Sequence, residues 1–193
     1  MDAKQTLGEP RLLISRDALL HNVAVLRRHL APGTKICAVV KADAYGHGAD
    51  LVVDALYNFS TDLTEGPFID AMAVATVDEA EELPGTALQT FIFRPVENAF
   101  VGGQRSRIES AIRNGWVLTL CSPAAADDVA RIAVACGRRA NVQVMIDTGM
   151  SRTGVGVEGT SGSDMVEDYR LNPAAAPKNK HRPGRYFPMI ETV

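Results

Sequence analysis

The order of apolar and polar positions predicts an alternation of helices and strands. Ser15 is a residue type that commonly caps the start of a helix. The apolar residues that follow it have helical spacing and predict one buried stripe: Leu19, Val23, Leu26 and Leu30. The dipeptide Pro32-Gly33 ends this predicted helix.

Five short apolar runs without alternation are typical of strands that are covered on both faces of a parallel sheet. They are residues 35–40, 71–75, 88–93, 116–120 and 142–146. Helical patterns separate several of them, and Thr76 is predicted to cap an acidic helix. The pattern therefore predicts about five β/α units. Such units form either open doubly wound sheets or closed eight-stranded barrels, and five strands are too few for a closed barrel.

Composition narrows the class of protein. The chain has 193 residues, of which 46% are hydrophobic, and a formal net charge of −3, as expected for a water-soluble protein of one domain. The slightly acidic balance argues against nucleic acid as a partner, and no apolar run is long enough to span a membrane. The N-terminus has no secretory pattern, and Cys37, Cys121 and Cys136 form no CxxC pair. We expect three reduced core cysteines and a cytoplasmic location.

The character of the sequence changes near Glu158. The remaining segment contains four prolines and little periodicity, together with the basic residues Lys178, Lys180, Arg182 and Arg185. We predict a folded unit over residues 1–157 and a Pro-rich, poorly ordered tail over residues 158–193. The basic run is predicted to be a solvated segment.

Candidate chemistry is concentrated in residues 39–48, with the sequence VVKADAYGHG. Lys41 follows a predicted parallel strand, and the carboxyl ends of such strands are where α/β enzymes keep their sites. An amine there could form a Schiff base with an aldehyde, and Tyr45 could reach a ligand phosphate. Gly46 and Gly48 would allow close backbone approach. Spacing alone leaves a second interpretation open, in which Lys41 is a surface lysine with a half-buried stem.

The same decapeptide resembles, position by position, the pyridoxal-phosphate attachment motif of the alanine racemases. Three further segments are similar to that family in the same order along the chain: residues 14–22, 73–80 and 146–155. The similarity covers residues 11–157. It implies a barrel of the TIM type that is incomplete, with about five β/α units and parallel strands.

The resemblance also implies a function. Lys41 would hold pyridoxal 5'-phosphate as a Schiff base and move the α-proton on the D-alanine face. Tyr45 would bind the cofactor phosphate, and Arg152 would orient the cofactor's phenolic oxygen and the substrate carboxylate. The implied activity is an isomerase that interconverts L-alanine and D-alanine, which supplies D-alanine for peptidoglycan, and the implied assembly is a homodimer. We expect no metal site, because His21 and His29 lack ligand spacing.

The sequence departs from the family at several points. Met145 stands where the family often has a carbamylated lysine that helps to position the arginine, and residues 93–98 have no clear counterpart. The later barrel strands, the C-terminal β-domain and the second base that it supplies find no match after strand five. An alternative interpretation is therefore a non-catalytic pyridoxal-phosphate-binding fragment or carrier that lacks the second base.

Other polar residues are predicted to have structural roles. We expect His47 to form hydrogen bonds within its loop, and Asp147 and Thr148 to organise the turn before Gly149. The acidic residues at the start of the third helix are predicted to be solvated and to complement the helix dipole: Asp78, Glu79, Glu81 and Glu82.

Overall fold

A computed structural model describes residues 12–57, 68–148, 150, 152–156 and 190–192. Its helical elements are α1 (Arg16–His29), α2 (Lys41–Gly46), α3 (Ala49–Tyr57), α4 (Val77–Glu82), α5 (Gln104–Asn114) and α6 (Pro123–Cys136). Its strands are β1 (Cys37–Val39), β2 (Ala71–Val74), β3 (Gln89–Pro95), β4 (Val117–Leu120), β5 (Asn141–Val144), β6 (Ile146–Asp147), β7 (Val155–Gly156) and β8 (Ile190–Thr192).

The main sheet has the strand order β1-β2-β3-β4-β5-β8. Strands β1 to β4 each pair in parallel with the strand that follows along the chain, so β1 to β5 form a parallel set. Helices connect successive strands, so the predicted series of β/α units with parallel strands is confirmed. Because parallel strands all end at the same edge, the segments that follow β1 to β5 meet at the carboxyl edge of the sheet.

The sixth strand of the sheet was not predicted. β8 lies antiparallel to β5, with Gln143 opposite Ile190 and Asn141 opposite Thr192. These residues belong to the segment for which the sequence predicted a poorly ordered tail without a strand. The rest of that segment, residues 158–189 and 193, lies outside the described residues.

The hydrophobic core lies between the sheet and the helices that connect its strands. Its most deeply buried large side chains include Val53 on α3, Met72 and Val74 on β2, Leu118 on β4 and Ile132 on α6. Leu118 alternates with Thr119, whose hydroxyl lies on the opposite side of β4, donates to the carbonyl of Ile92 and accepts from the Gln143 amide.

Helix α1 is less buried than its pattern predicts. Ser15 caps it as expected, because its hydroxyl accepts a hydrogen bond from the Ala18 N–H. Leu19 and Val23 pack against the core, whereas Leu26 is 58% exposed and Leu30 is 39% exposed. The prediction of one buried stripe is therefore right for the first half of α1 and wrong for its last turn.

The structure agrees in part with the prediction of three reduced core cysteines. All three cysteines are free thiols, with Cys121 and Cys136 half-buried. Cys37 is exposed, so the prediction that it is a core residue is wrong. Within the described ranges, no helix combines the length and the hydropathy needed to cross a bilayer.

Asp70 joins α1 to the strand that leads to the candidate site. Its carboxylate accepts hydrogen bonds from the Ile36 N–H at 2.7 Å and from the Arg27 guanidinium at 2.9 Å. The Ile36 N–H, with Arg27 and Lys35, lowers the pKa of Asp70 below its ordinary value. The unfolded chain therefore binds more protons at this group, so its stabilising contribution is present above the ordinary pKa and is lost as the pH falls through the folded pKa.

Asp70→Asn should lower the free energy of unfolding by about 1 kcal/mol at neutral pH, because the exposed carboxylate loses charge-assisted hydrogen bonds. The difference from the wild type should shrink as the pH falls below about 4. Urea unfolding at several pH values measures this, with Asp127→Asn on the exposed face of α6 as the control. A difference that does not change with pH would contradict the assignment.

Candidate active site

Lys41 lies where β1 leaves the sheet. The preceding residue, Val40, is buried in the core, and its N–H donates to the Ala73 carbonyl at 2.8 Å, which extends the pairing of β1 with β2 by one residue. Lys41 is half-buried, and its Nζ lies 5.8 Å from the centre of the exposed Tyr45 ring. The structure thus brings together two of the three predicted site residues at the carboxyl edge of the sheet.

The segment after Lys41 forms a left-handed helical turn. Residues 42–45 have φ between 51° and 58° and ψ between 36° and 50°. Non-glycine L-residues rarely adopt this conformation, which costs about 1 to 2 kcal/mol for each residue in a left-handed helix. Such strain persists only where the surrounding structure determines it, and it is concentrated at functional sites.

Hydrogen bonds hold this turn at both ends. The Ala44 N–H donates to the Val40 carbonyl at 2.9 Å, and the Gly48 N–H donates to the Asp43 carbonyl at 3.0 Å. The Asp43 carboxylate accepts from the N–H of Ala49, the first residue of α3, at 2.7 Å. The turn is thereby fixed between β1 and α3, and Lys41 and Tyr45 are fixed at its two ends.

His47 has the structural role that the sequence predicted. Its Nδ1 lies 2.8 Å from the Ala44 carbonyl oxygen, which suits a hydrogen bond donated by a protonated Nδ1. This contact is a bond within the loop.

Glu79 is a residue that sequence reasoning assigned wrongly. It is half-buried, and its carboxylate accepts hydrogen bonds from the N–H groups of Ala42, Ala75 and Thr76 at 3.0, 2.6 and 3.2 Å. Its own N–H donates to the Thr76 hydroxyl, which completes a capping box at the start of α4. The sequence signal was present, because a threonine followed three residues later by a glutamate is the signature of that motif.

Two other acidic residues of α4 also have partners. Asp78 forms an ion pair with Arg107 at 2.7 Å, and Glu81 accepts a hydrogen bond from the Ser110 hydroxyl at 2.5 Å. Both partners lie on α5, so these contacts join neighbouring helices. Glu82 is exposed, as the prediction of a solvated helix start requires.

Arg152 lies at the same edge of the sheet but far along it. It is exposed, in the segment between β6 and β7 that follows β5. Four inter-strand steps separate β1 from β5, which corresponds to about 19 Å on a flat sheet. Curvature of the sheet is therefore required to bring Arg152 towards the Lys41 amine.

The backbone of Met145 anchors the segment that carries Arg152. β5 ends one residue before Met145, so the predicted strand 142–146 is interrupted there. The Met145 N–H donates to the Leu120 carbonyl at 2.9 Å, and its carbonyl accepts from the Val155 N–H at 2.8 Å. These bonds need no particular side chain at position 145, and they close the segment that contains Arg152 into a loop.

A cavity of about 670 Å³ lies at the end of β3, between the starts of α4 and α5. Its lining includes Thr76, Arg94, Glu97 and Arg107, whereas Lys41, Tyr45 and Arg152 are not part of it. The cavity is therefore a neighbour of the lysine site and shares only the start of α4 with it.

Comparison with known proteins finds the same family in the family model and in the curated relatives. The family described as "Alanine racemase, N-terminal domain" matches residues 14–176. Curated alanine racemases of Chlorobaculum tepidum and Synechocystis are 37% and 38% identical over 145 and 143 residues, which are 74% and 73% of this chain and 35% of each relative. The chain thus spans about a third of the length of these relatives.

Solved structures agree with the sequence comparison. The alanine racemase of Clostridium difficile 630 superposes with a TM-score of 0.62 at 30% identity, over 81% of this chain and 37% of that one. The alanine racemase of Streptomyces coelicolor superposes with a TM-score of 0.56 at 29% identity, over 81% of this chain and 38% of that one. The fold is therefore part of a β/α barrel of the TIM type, as predicted.

A lysine at the end of the first strand of such a barrel, followed by a fixed turn with a tyrosine, lies where enzymes with this fold have their active sites. The chain belongs to the alanine racemase family and matches its N-terminal domain.

Gly154 permits the loop that carries Arg152 to close. It is buried with φ of +123°, and a Cβ at this position would lie 2.6 Å from the Asp147 backbone nitrogen. Backbone atoms cannot move aside as a flexible side chain does. Only glycine therefore allows β7 to pair with β6 at this distance.

Gly154→Ala should destabilise the protein by about 1 to 3 kcal/mol, because both the backbone conformation and the clash oppose alanine. Gly85→Ala is the matched control, since a Cβ there meets nothing within 4 Å and the backbone is not in the left-handed region. Denaturant unfolding compares the two variants. Equal stabilities would contradict the close approach at Gly154.

Proposed function

We propose that the protein is a pyridoxal-phosphate-dependent alanine racemase-like enzyme that interconverts L-alanine and D-alanine through Lys41. The observation that carries the proposal is the half-buried Lys41 at the end of β1, whose amine lies beside Tyr45 on a left-handed turn. Both residues belong to the part of the chain that matches the family.

The residues present fit pyridoxal phosphate. Its aldehyde requires a primary amine, and its phosphate requires hydrogen-bond donors nearby. Lys41 provides the amine, and the exposed Tyr45 hydroxyl is available as a donor. When bound, this cofactor delocalises the electrons of the carbanion that forms at the substrate α-carbon, while the protein supplies position and proton transfer.

Three residues of the chain would then have separate roles in binding and proton transfer. Lys41 would hold the cofactor through its amine and would move the α-proton on one face of the substrate. Tyr45 holds the phosphate. Arg152 presents a planar guanidinium with five N–H donors, which suits a carboxylate and the phenolic oxygen of the cofactor.

A second candidate function is a pyridoxal-phosphate-binding fragment or carrier without racemase activity. One observation favours it over an active enzyme: Met145 cannot accept the modification that the family's lysine carries at this place. Both candidates require the Lys41 site, and only the first requires proton transfer on both faces of alanine.

The biological setting belongs to the same proposal. Alanine is the proposed substrate, D-alanine for peptidoglycan the proposed product, and a homodimer the proposed assembly. A cytoplasmic location is supported by the three free cysteines.

Lys41→Ala should abolish the covalent attachment of pyridoxal phosphate to the full 193-residue chain, because the attachment requires this amine. Borohydride reduction followed by peptide mass spectrometry identifies the modified residue, with Lys35→Ala as the control. Chiral chromatography of L-alanine incubated with the wild type then separates the candidates. Production of D-alanine supports the enzyme, attachment without production supports the carrier, and attachment that persists in Lys41→Ala contradicts both.

Tyr45→Phe should weaken pyridoxal phosphate binding about tenfold and leave the binding of unphosphorylated pyridoxal unchanged, because only the phosphate contact loses its donor. Fluorescence titration with both aldehydes measures the two affinities. Equal weakening for both would show that Tyr45 acts through packing near Lys41 and not through the phosphate.

A further inference from the structure

The Glu79 carboxylate connects two segments that are far apart in sequence. Its Oε1 accepts from the N–H of Ala42, the residue directly after Lys41. Its Oε2 accepts from the N–H groups of Ala75 and Thr76, which lie between β2 and α4. One carboxylate thus bridges the ends of β1 and β2 immediately beyond the point where their backbone pairing stops.

The contact with Ala42 satisfies a need that the left-handed turn creates. The first N–H groups of any helical turn have no acceptor within the turn itself. In this turn the first backbone bond along the helix is the one from Ala44 to Val40, so the Ala42 N–H needs an acceptor from elsewhere. Glu79 supplies that acceptor with a negative charge, which makes the hydrogen bond stronger than one to a neutral group.

We propose that Glu79 is a positioning residue that fixes the backbone at Lys41, by holding the Ala42 N–H across the gap between β1 and β2, and so sets the reactivity of the Lys41 amine towards pyridoxal phosphate. This inference rests on the proposed function of Lys41. Among the residues that the structure describes, no hydrogen bond or ion pair joins Glu79 to the Lys41 amine or to Tyr45. Its effect passes through the backbone of the turn.

If Glu79 only capped α4, Thr76→Ala and Glu79→Gln would have the same effect at Lys41. The capping function rests on the Thr76 hydroxyl, which accepts from the Glu79 N–H, and on the bonds from Ala75 and Thr76 to Oε2. Thr76→Ala removes the hydroxyl and leaves the carboxylate able to hold Ala42. Glu79→Gln removes the charge and one of the two acceptor oxygens, so three N–H groups can no longer all be satisfied.

The experiment compares four forms of the full-length chain: the wild type, Glu79→Gln, Thr76→Ala and Glu82→Gln. Thr76→Ala is matched for the loss of a helix cap, and Glu82→Gln is matched for the loss of a charge on the same short helix. Amide hydrogen exchange at Ala42, measured by NMR without cofactor, reports the hydrogen bond. The affinity for pyridoxal phosphate and the rate of its reductive attachment to Lys41 report the reactivity.

Glu79→Gln alone should lose the exchange protection of the Ala42 amide by at least about tenfold, and it alone should lose about tenfold in the rate of attachment at Lys41. If Glu79→Gln does not fold, Glu79→Asp takes its place, because it keeps the charge at the start of α4 while its side chain, one methylene shorter, no longer reaches Ala42. The same two losses are then expected.

Unchanged Ala42 protection in the Glu79 variant overturns the inference whether or not cofactor binds. Lost protection with unchanged attachment at Lys41 also overturns it, and so do equal losses in Thr76→Ala, which would reduce Glu79 to a helix cap. A wild type that protects Ala42 but attaches no pyridoxal phosphate overturns the proposed function instead, together with any effect of Glu79 on it. The two failures are therefore distinguishable.

Discussion

The position of the Lys41 amine depends on the left-handed turn formed by residues 42–45, a conformation that L-residues adopt only at a cost. Four such residues in succession would relax in an isolated peptide. They are held here because hydrogen bonds tie the turn to three different elements: to β1 through Val40, to α3 through Asp43, and to the end of β2 through Glu79. Part of the stability of the sheet and its helices is thereby used to hold one short segment.

The turn also explains why a lysine and a tyrosine four residues apart can lie close together. In an extended chain, residues at that separation are more than 10 Å apart, since each residue advances by about 3.3 Å. A helical turn of either hand brings the residues of such a pair to the same side, and the Lys41 Nζ lies 5.8 Å from the centre of the Tyr45 ring. A right-handed turn would send the chain in a different direction from the end of β1. The left-handed turn delivers it to Ala49 at the start of α3.

Much of the fold could be predicted from the sequence, because buried parallel strands leave continuous apolar runs and helix caps leave recognisable residues. Residues 71–75 and 116–120 contain β2 and β4, and Ser15 and Thr76 cap helices as predicted. The left-handed turn could not be predicted from its residues, since Ala42 and Tyr45 have no intrinsic preference for positive φ. Helix α5 was not assigned because its sequence, QRSRIESAIRN, is mostly polar and buries only Ile108, Ala111 and Ile112.

The residues of the candidate site could likewise be proposed from the sequence only in part. Lys41 and Tyr45 could be proposed because both lie in one continuous motif that resembles that of the family, whereas Glu79 was missed because its contact with Ala42 joins residues that are 37 positions apart in the chain. Arg152 is the opposite case, since its motif is local but its ability to act with Lys41 depends on distance across the sheet.

In a closed eight-stranded barrel the first and fifth strands face each other across the mouth, so that residues following them converge on one cofactor. The strand order β1-β2-β3-β4-β5 preserves that relation only to the extent that the sheet curves, and curvature depends on which strands continue it beyond β1 and β5. The antiparallel β8 occupies the β5 edge among the residues described, so the path of the chain after β5 bears directly on whether Arg152 can act with Lys41.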